Sequence, residues 1–298
     1  MKHVFIVNPT AGKKSSLEII ENALKNEEID YEIYVTKCIG DAKEFSKKKV
    51  LEDPTTEYRF YACGGDGTVN EVINGIYGHS NASFSVYPCG SGNDFVKASR
   101  GKDFTNIHNL INGEEKAIDV IKVNDCYGVN IFNAGFDASV AYNMVKFKRW
   151  PLVSGKMAYN LGLIKSLFTD MSHKGEIYAD DKLLFSGKFL MTSLCNGICC
   201  GGAFYFAPNA NIDDGRLYHL LVKKVGLIKF LSLVGKFKTG EYINYPEKYG
   251  KIILNDYYSK VRIVTKKPLK CGIDGETFLS NDITIEVIPS SLRFVCPK

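Results

Sequence analysis

Chemistry in this sequence concentrates at a few glycine-rich and acidic turns. Gly64-Gly65-Asp66-Gly67-Thr68-Val69-Asn70-Glu71 is the most informative. Its glycines let the backbone turn sharply and bring amides within hydrogen-bonding distance of phosphate oxygens. Thr68 and Glu71 have capping-box spacing. That spacing predicts a helix N-terminus directly after the turn, an end that favours anions. Asp66 sits among the glycines without an evident structural duty. A carboxylate there suits the metal that accompanies a polyphosphate; the competing reading is a local cap. Gly90-Ser91-Gly92-Asn93-Asp94 repeats the logic one strand later, and Asn8-Pro9-Thr10-Ala11-Gly12 does so after the first strand. All α/β chains need such turns, but three at strand ends point to one tightly approached polar ligand. The first motif lacks the third glycine of a dinucleotide fingerprint. Gly12-Lys13-Lys14-Ser15 lacks the upstream glycine of a Walker loop and has Lys14 where Ser or Thr belongs.

Two further turns carry carboxylates. Ile273-Asp274-Gly275-Glu276 brings two to one hairpin tip. Asp-Gly is also a favoured two-residue hairpin connection. A carboxylate beside an acceptor hydroxyl could remove its proton during phosphoryl transfer. Asn211-Ile212-Asp213-Asp214-Gly215-Arg216 offers hard oxygen ligands suited to Mg²⁺, or is a plain turn. The five histidines are well separated, and there is no Gly-x-Ser-x-Gly elbow or His-Glu-x-x-His. Nine cysteines exclude a complete disulfide framework. Cys195, Cys199 and Cys200 have no second cluster at zinc spacing, so the cysteines read as buried small hydrophobes in a reducing compartment.

The elements that must position these turns alternate over the first 125 residues. Strands are expected at Val4 to Val7, Tyr31 to Val35, Tyr58 to Ala62 and Phe84 to Tyr87. Helices are expected from Ser15, where Ser15 and Glu18 fit a capping box, over Asp41 to Val50, and after Thr68. Strand, glycine turn, helix, repeated, predicts an open α/β sheet with its ligand beyond the carboxyl ends of the strands. After about Ile118, β-type runs dominate: 117–123, 127–132, 183–194, 217–222, 251–254, 261–265 and 283–288. Helical stretches at about 138–148, 156–168 and 226–238 interrupt them. This half predicts a mostly β domain, a sandwich with helical insertions, joined without a linker so that a cleft forms between the halves.

Composition bounds the partners. The 298 residues suffice for two ordinary domains, and the net charge of +5 permits an anionic partner but lacks a nucleic-acid footprint. The longest uncharged stretch, Phe189 to Ile212, is too rich in Asn, Gly and Pro for a transmembrane helix. The N-terminal apolar run is too short for a signal peptide. Basic stretches with apolar flanks, Lys146 to Trp150, Lys223-Lys224, Lys236 to Lys238 and Lys266-Lys267, suit an acidic bilayer surface or simple solvation.

Over nearly its whole length the sequence resembles the diacylglycerol kinase catalytic-domain family in its short bacterial form. These are soluble lipid kinases related to sphingosine kinases and, more distantly, to NAD kinases. Gly64 to Glu71 matches the phosphate-binding signature, Asn8 to Gly12 the first nucleotide loop, and Gly90 to Phe95 a later Gly-Thr/Ser-x-Asn-Asp-Phe motif. Lys97 stands where the family usually has Arg. The resemblance implies an α/β nucleotide-binding domain (1–122, plus about 291–298) and a β-sandwich domain (123–290). ATP lies between them, with Mg²⁺. It implies nucleotide contacts at Asn8, Pro9, Thr10, Ala11, Gly12, Thr36, Gly64, Gly65, Asp66, Gly67, Thr68, Asn70, Glu71 and Ser91. Asp66 joins the Mg-ATP network, and Glu276 with Asp274 forms the catalytic turn. A second, structural Mg²⁺ takes the Asp214 side chain and the carbonyls of Asn211 and Arg216. The expected activity is phosphorylation of a lipid hydroxyl at the inner membrane face by a cytoplasmic enzyme, with a homodimer permitted by open sheet edges. A kinase for a soluble alcohol and a non-catalytic nucleotide- or lipid-binding module are the alternatives.

Overall fold

A computed structural model describes residues 1–12, 16–148, 150–151 and 153–298. The Ser15 half of the first capping box and Arg149 of the first basic stretch lie outside these residues. Four short apolar strands build the first lobe: β1 (Lys2–Val7), β2 (Tyr31–Val35), β3 (Tyr58–Gly64) and β4 (Ala82–Pro88). They pair in parallel in the order β2-β1-β3-β4. β1 and β3 are buried almost throughout, as a sheet covered on both faces requires. The covering helices are α1 (Ser16–Leu24), α2 (Asp41–Glu52), α3 (Asp66–Ile76) and the short α4 (Ile107–Ile111). One core joins Val4 to Val7, Phe60 to Cys63 and Phe84 with Ile20, Val50, Val72 and Leu110.

The chain then becomes antiparallel. β5 (Glu114–Val123), β6 (Cys126–Gly128) and β7 (Ile131–Gly135) lead to α5 (Phe136–Lys148) and α6 (Gly155–Thr169). β8 (His173–Ala179), β9 (Lys182–Cys195) and β10 (Leu217–Lys223) follow, then α7 (Leu227–Thr239) and the single turn α8 (Pro246–Tyr249). β11 (Ile253–Tyr258), β12 (Lys260–Ile273) and β13 (Glu276–Cys296) complete the chain. β9 and β12 change partners half-way. Near one end both pair with β8; near the other both pair with β7. Folding over in this way encloses an apolar interior that includes Phe132, Phe189, Leu194, Ile263 and Ile285. The outer face of β7, β9 and β10 is covered by α5 to α7, around Phe136, Met191, Leu220, Phe230 and Phe237. The architecture is thus an α/β lobe and a β-sandwich lobe.

Three expectations need correction. The single strand expected over 127–132 is two, β6 and β7, because the Val129, Asn130 and Ile131 amides turn to the Asp274 carboxylate instead of a neighbouring strand. The strand expected over 283–288 is the middle of the 21-residue β13. β8 was not expected at all, since its sequence His-Lys-Gly-Glu-Ile-Tyr-Ala is short and half polar.

β13 ties the lobes together. Its first part pairs with β12; its later part pairs with β5, and Phe294 registers with Phe84 of β4. The Ser85 hydroxyl donates to the Val295 carbonyl at 2.7 Å. Leu292 and Phe294 lie in the first lobe's core.

Candidate active site

The glycine turns converge at the carboxyl ends of the parallel strands. The side-chain amide of Asn8, just after β1, donates to Thr68 Oγ1 at 3.2 Å, and its carbonyl oxygen accepts from the Thr10 amide at 3.0 Å and hydroxyl at 2.8 Å. The Thr36 amide, after β2, donates to the Val7 carbonyl at 2.9 Å. The Cys89 amide, after β4, reaches the Gly64 carbonyl at 2.9 Å. These contacts leave no room for side chains. A Cβ on Gly64 would lie 2.2 Å from Thr68 Oγ1, and one on Gly90 would lie 2.5 Å from Gly65 Cα. Gly12 has φ +69°, and its Cβ would fall 2.0 Å from the Cys89 carbonyl oxygen. Pro9, Thr10, Gly67 and Ser91 are exposed along this rim.

Asp66 opens α3 and fastens the third turn. Its Oδ1 accepts the Asp94 amide at 2.7 Å and its Oδ2 the Asn93 amide at 3.0 Å. Burial and then the Asp94 carboxylate push Asp66 above the usual carboxylate range. Asp94 in turn accepts from Lys97 Nζ at 2.7 Å, and from the Gly202 amide at 3.0 Å to each oxygen. Lys97 also donates to the Gly202 carbonyl at 2.8 Å. This clasp joins the first lobe to the loop after β9. The motif naming Asp94 was legible; its grip on residue 202 was not, since the two are distant in sequence.

The expected capping box does not form. α3 starts at Asp66 with Gly65 as its cap, so Thr68 is already inside the helix. Glu71 faces α2 instead, accepting the Gly40 amide at 2.8 Å and the Ala42 amide at 3.1 Å. Asn70 is buried, and its amide donates to the Tyr127 carbonyl at 3.2 Å. Both side chains are therefore committed to scaffolding around the turn.

Asp274 and Gly275 both have positive φ, +47° and +96°, as a two-residue hairpin connection requires. The buried Asp274 carboxylate receives the amides of Val129 at 2.7 Å, Asn130 at 3.1 Å and Ile131 at 2.8 Å. Burial outweighs these bonds and pushes it up to about 6; the Asp66 charge adds to the rise. Glu276 is exposed at the tip. Among the described residues no side-chain hydrogen bond or ion pair holds its carboxylate. Partial desolvation and the Glu71 carboxylate push it above the usual range. Asp66 acting on Asp274, and Glu71 on Glu276, place the acidic hairpin against the start of α3, across the cleft between the lobes.

Among the described residues the 211–216 turn shares no hydrogen bond with these groups; its bonds run to Lys116 and Asp119. Asp214 Oδ1 accepts the Arg216 amide at 3.0 Å, and burial with the Asp119 and Asp213 charges pushes Asp214 up. Asp119, which the sequence reading passed over, is fully buried in β5 and accepts amides from Gly215 at 2.6 Å and Ser290 at 2.8 Å. Its only signal was a carboxylate inside the apolar run Ala-Ile-Asp-Val-Ile. Among the described residues no three His, Cys, Asp or Glu side chains gather as a metal cluster. The expected donors at this turn, one carboxylate and two carbonyls, are hard oxygens amid excess negative charge, and that chemistry fits Mg²⁺.

Residues 2–123 match the diacylglycerol kinase catalytic domain, and residues 130–296 match the YegS C-terminal NAD kinase beta sandwich-like domain. The diacylglycerol kinase of Bacillus subtilis is 30% identical over 280 residues, covering 91% of this chain and 88% of that protein. The chain belongs to the diacylglycerol kinase family. The diacylglycerol kinase of Staphylococcus epidermidis is likewise 30% identical, over 278 residues, 91% of this chain and 84% of its own. A crystal structure described as a diacylglycerol kinase from Bacillus anthracis superimposes with a TM-score of 0.71 at 20% identity, covering 99% of this chain and 96% of that one. This kinase therefore shares the family's two-lobed fold, and it is an enzyme. Among its described residues no helix is long and apolar enough to cross a membrane.

Proposed function

We propose that this kinase transfers the γ-phosphoryl group of ATP to the hydroxyl of a diacylglycerol-like lipid, with Glu276 as general base. The observation that carries the reading is the contrast within one hairpin. Asp274 spends its oxygens on three backbone amides, whereas Glu276, two residues on, keeps a free carboxylate of raised pKa at the cleft. Asp274 is thus a positioning residue that holds the tip in place.

The exposed rim of the glycine turns (Pro9 to Gly12, Gly65 to Gly67, Ser91) holds the nucleotide phosphates, with Thr36 at the far end. Asn70, Thr68 and Glu71 hold that rim. Magnesium, when bound, would offset phosphate charge at Asp66 and brace the turn of Asn211, Asp214 and Arg216. In the transfer, Glu276 takes the proton as the hydroxyl O–H breaks, the oxygen forms its bond to the γ-phosphorus, and the bond to the bridging oxygen breaks to release ADP. The products are ADP and a phosphomonoester lipid.

A lipid acceptor is supported by the surface of the helical cover. Leu227, Ile228 and Leu231 are exposed on one turn of α7, Ile228 to 87%, beside Lys223, Lys224 and Lys229. Exposed apolar side chains with lysines close by in the sequence suit an anionic bilayer, so we place the enzyme at the cytoplasmic membrane face. The test is incubation of the purified enzyme with labelled ATP and fractionated cellular lipids. Label is expected in one lipid class and is expected to vanish in Glu276→Gln and Asp66→Ala. Label appearing only in water-soluble alcohols would end the lipid reading, and full turnover by Glu276→Gln would end the assignment of the base.

A further inference from the structure

Lys97 belongs to the single 3₁₀ turn Phe95–Ala98 that follows the third glycine turn. Its ammonium carries three N–H groups, and three acceptors meet them: Asp94 Oδ1 at 2.7 Å, the Gly202 carbonyl at 2.8 Å and Cys199 Sγ at 3.6 Å. Only the first lies in its own lobe. Three residues on, Arg100 reaches the same partner lobe, donating to the Pro208 carbonyl at 3.0 Å. Asp94 is buried and Lys97 mostly so, which makes their contact a charge-assisted bond largely withdrawn from water. The sandwich side is shaped for close approach. Gly201 and Gly202 have φ of +60° and +78°, and a Cβ on Gly202 would touch Gly92 Cα and the Ser91 carbonyl oxygen, each at 3.7 Å. The loop after β9 thus lies directly against the third glycine turn.

From this loop hydrogen bonds lead on to the acidic hairpin. The buried Asn130 donates its side-chain amide to the Cys199 carbonyl at 3.1 Å. Its own carbonyl receives the Asn196 and Gly197 amides at 2.9 and 2.8 Å. The packing is close, since a Cβ on Gly197 would fall 2.0 Å from Asn130 Oδ1. The backbone amide of Asn130 is one of the three that occupy the Asp274 carboxylate, at 3.1 Å. In the other direction, the Asp94 amide is held by Asp66 at 2.7 Å. One path therefore runs from Asp66 through Asp94, Lys97, Gly202 and Asn130 to Asp274. It joins the first glycine-rich turn to the hairpin that carries Glu276, and Lys97 and Gly202 make its crossing between the lobes.

We propose that Lys97 is a positioning residue for phosphoryl transfer. By bridging Asp94 and the Gly202 carbonyl it sets the separation between the nucleotide turns and the Glu276 carboxylate. The inference rests on the lipid-kinase reading with Glu276 as base. A misplacement of about 1 Å between reacting groups can cost about 10²-fold in rate, so the bridge acts on kcat far more than on binding. The competing role is charge balance. The Asp94 carboxylate that Lys97 offsets is close enough to push Asp66 up, and its release would weaken Mg-ATP binding instead of misplacing the base.

Lys97→Met keeps most of the side chain's length and removes the bridge. Turnover of dioctanoylglycerol in mixed micelles, or of the lipid class labelled in the test above, is measured with ATP, alongside fluorescent-nucleotide affinity in the presence of Mg²⁺. The proteins are the wild type, Lys97→Met, Glu276→Gln and the double variant. In Lys97→Met, kcat is expected to fall about 10- to 100-fold, with KM for ATP and nucleotide affinity within about threefold of wild type. With the base already removed there is nothing left to position, so adding Lys97→Met to Glu276→Gln should cost less than about threefold more. Lys97→Arg, which keeps the charge and the reach, should recover most of kcat. Losses that multiply in the double variant, or that appear as weakened Mg-ATP binding, overturn the positioning role in favour of charge balance. If Lys97→Met does not fold, Lys97→Gln, polar but too short to span both partners, is read in the same way. Hydrogen exchange follows the path without turnover. In the variant, the amides of Gly202 and of Val129 to Ile131 should exchange at least about fivefold faster, with those of β3 unchanged. Unchanged exchange at Val129 to Ile131 overturns the link to the hairpin and with it the proposal. A wild type that phosphorylates no lipid while this exchange pattern holds would instead sink the kinase reading and leave the bridge standing.

Discussion

Asp274 and Glu276 differ in what their oxygens are already doing, and substitution should separate them. Asp274→Ala leaves the amides of Val129, Asn130 and Ile131 without an acceptor in a buried place. A loss of about 2–4 kcal/mol is expected, read as a lower denaturant midpoint. Glu276 is exposed and bonds to nothing among the described residues, so Glu276→Gln should change stability by less than about 0.5 kcal/mol. Its turnover should fall about 10²- to 10⁴-fold. The pH profile follows from the same group. A base must be ionised, so activity should be lost as pH falls through the raised Glu276 pKa, above the ordinary glutamate range. Glu71 contributes to that rise, so Glu71→Gln should move the acid limb to lower pH. An acid limb that stays put would disconnect Glu276 from the proton transfer. The sequence showed both carboxylates but not this division, because the amides that occupy Asp274 come from more than 140 residues upstream.

At the scale of elements, the three glycine turns were legible as turns and as neighbours of one edge. Strand and helix periodicity reports which ends of the strands face the same way. What the turns do to one another was not legible. The Thr68–Glu71 spacing reads locally as a capping box, yet Glu71 serves the start of α2 and Thr68 receives Asn8. Long-range partners outcompeted the local one. Gly64 tests the packing. An added methyl would sit 2.2 Å from Thr68 Oγ1 and displace it from Asn8. Gly64→Ala is expected to weaken nucleotide binding at least about tenfold, which a fluorescent-nucleotide titration would show. Native-like affinity would mean the loops tolerate spreading. The break between β6 and β7 was hidden for the same reason: a continuous β-type run does not disclose that its middle amides serve a turn elsewhere.

For the whole molecule, the change from alternating helices and strands to mostly strands marked the two lobes, while the path of β13 across both was beyond composition. Deleting residues 291–298 removes the partner of the first half of β5, Glu114 to Ile118, and takes Phe294 from the first lobe's core. The shortened chain is expected to lose cooperative unfolding by circular dichroism; a sharp native-like transition would show that the first lobe stands without it.

β13 runs without a break in the chain from the acidic hairpin, where it pairs with β12, to the rim of the parallel sheet, where it lies beside β5. Their register slips only between Ile288 and Leu292, where Ser290 has φ +48° and its amide is held by Asp119. A paired ribbon resists stretching but yields to torsion, most easily at such a slip. The ribbon is therefore a leaf spring with one soft point. Any torsion of the ribbon is expected to concentrate at that slip, where the buried Asp119 holds the amides of both Gly215 and Ser290.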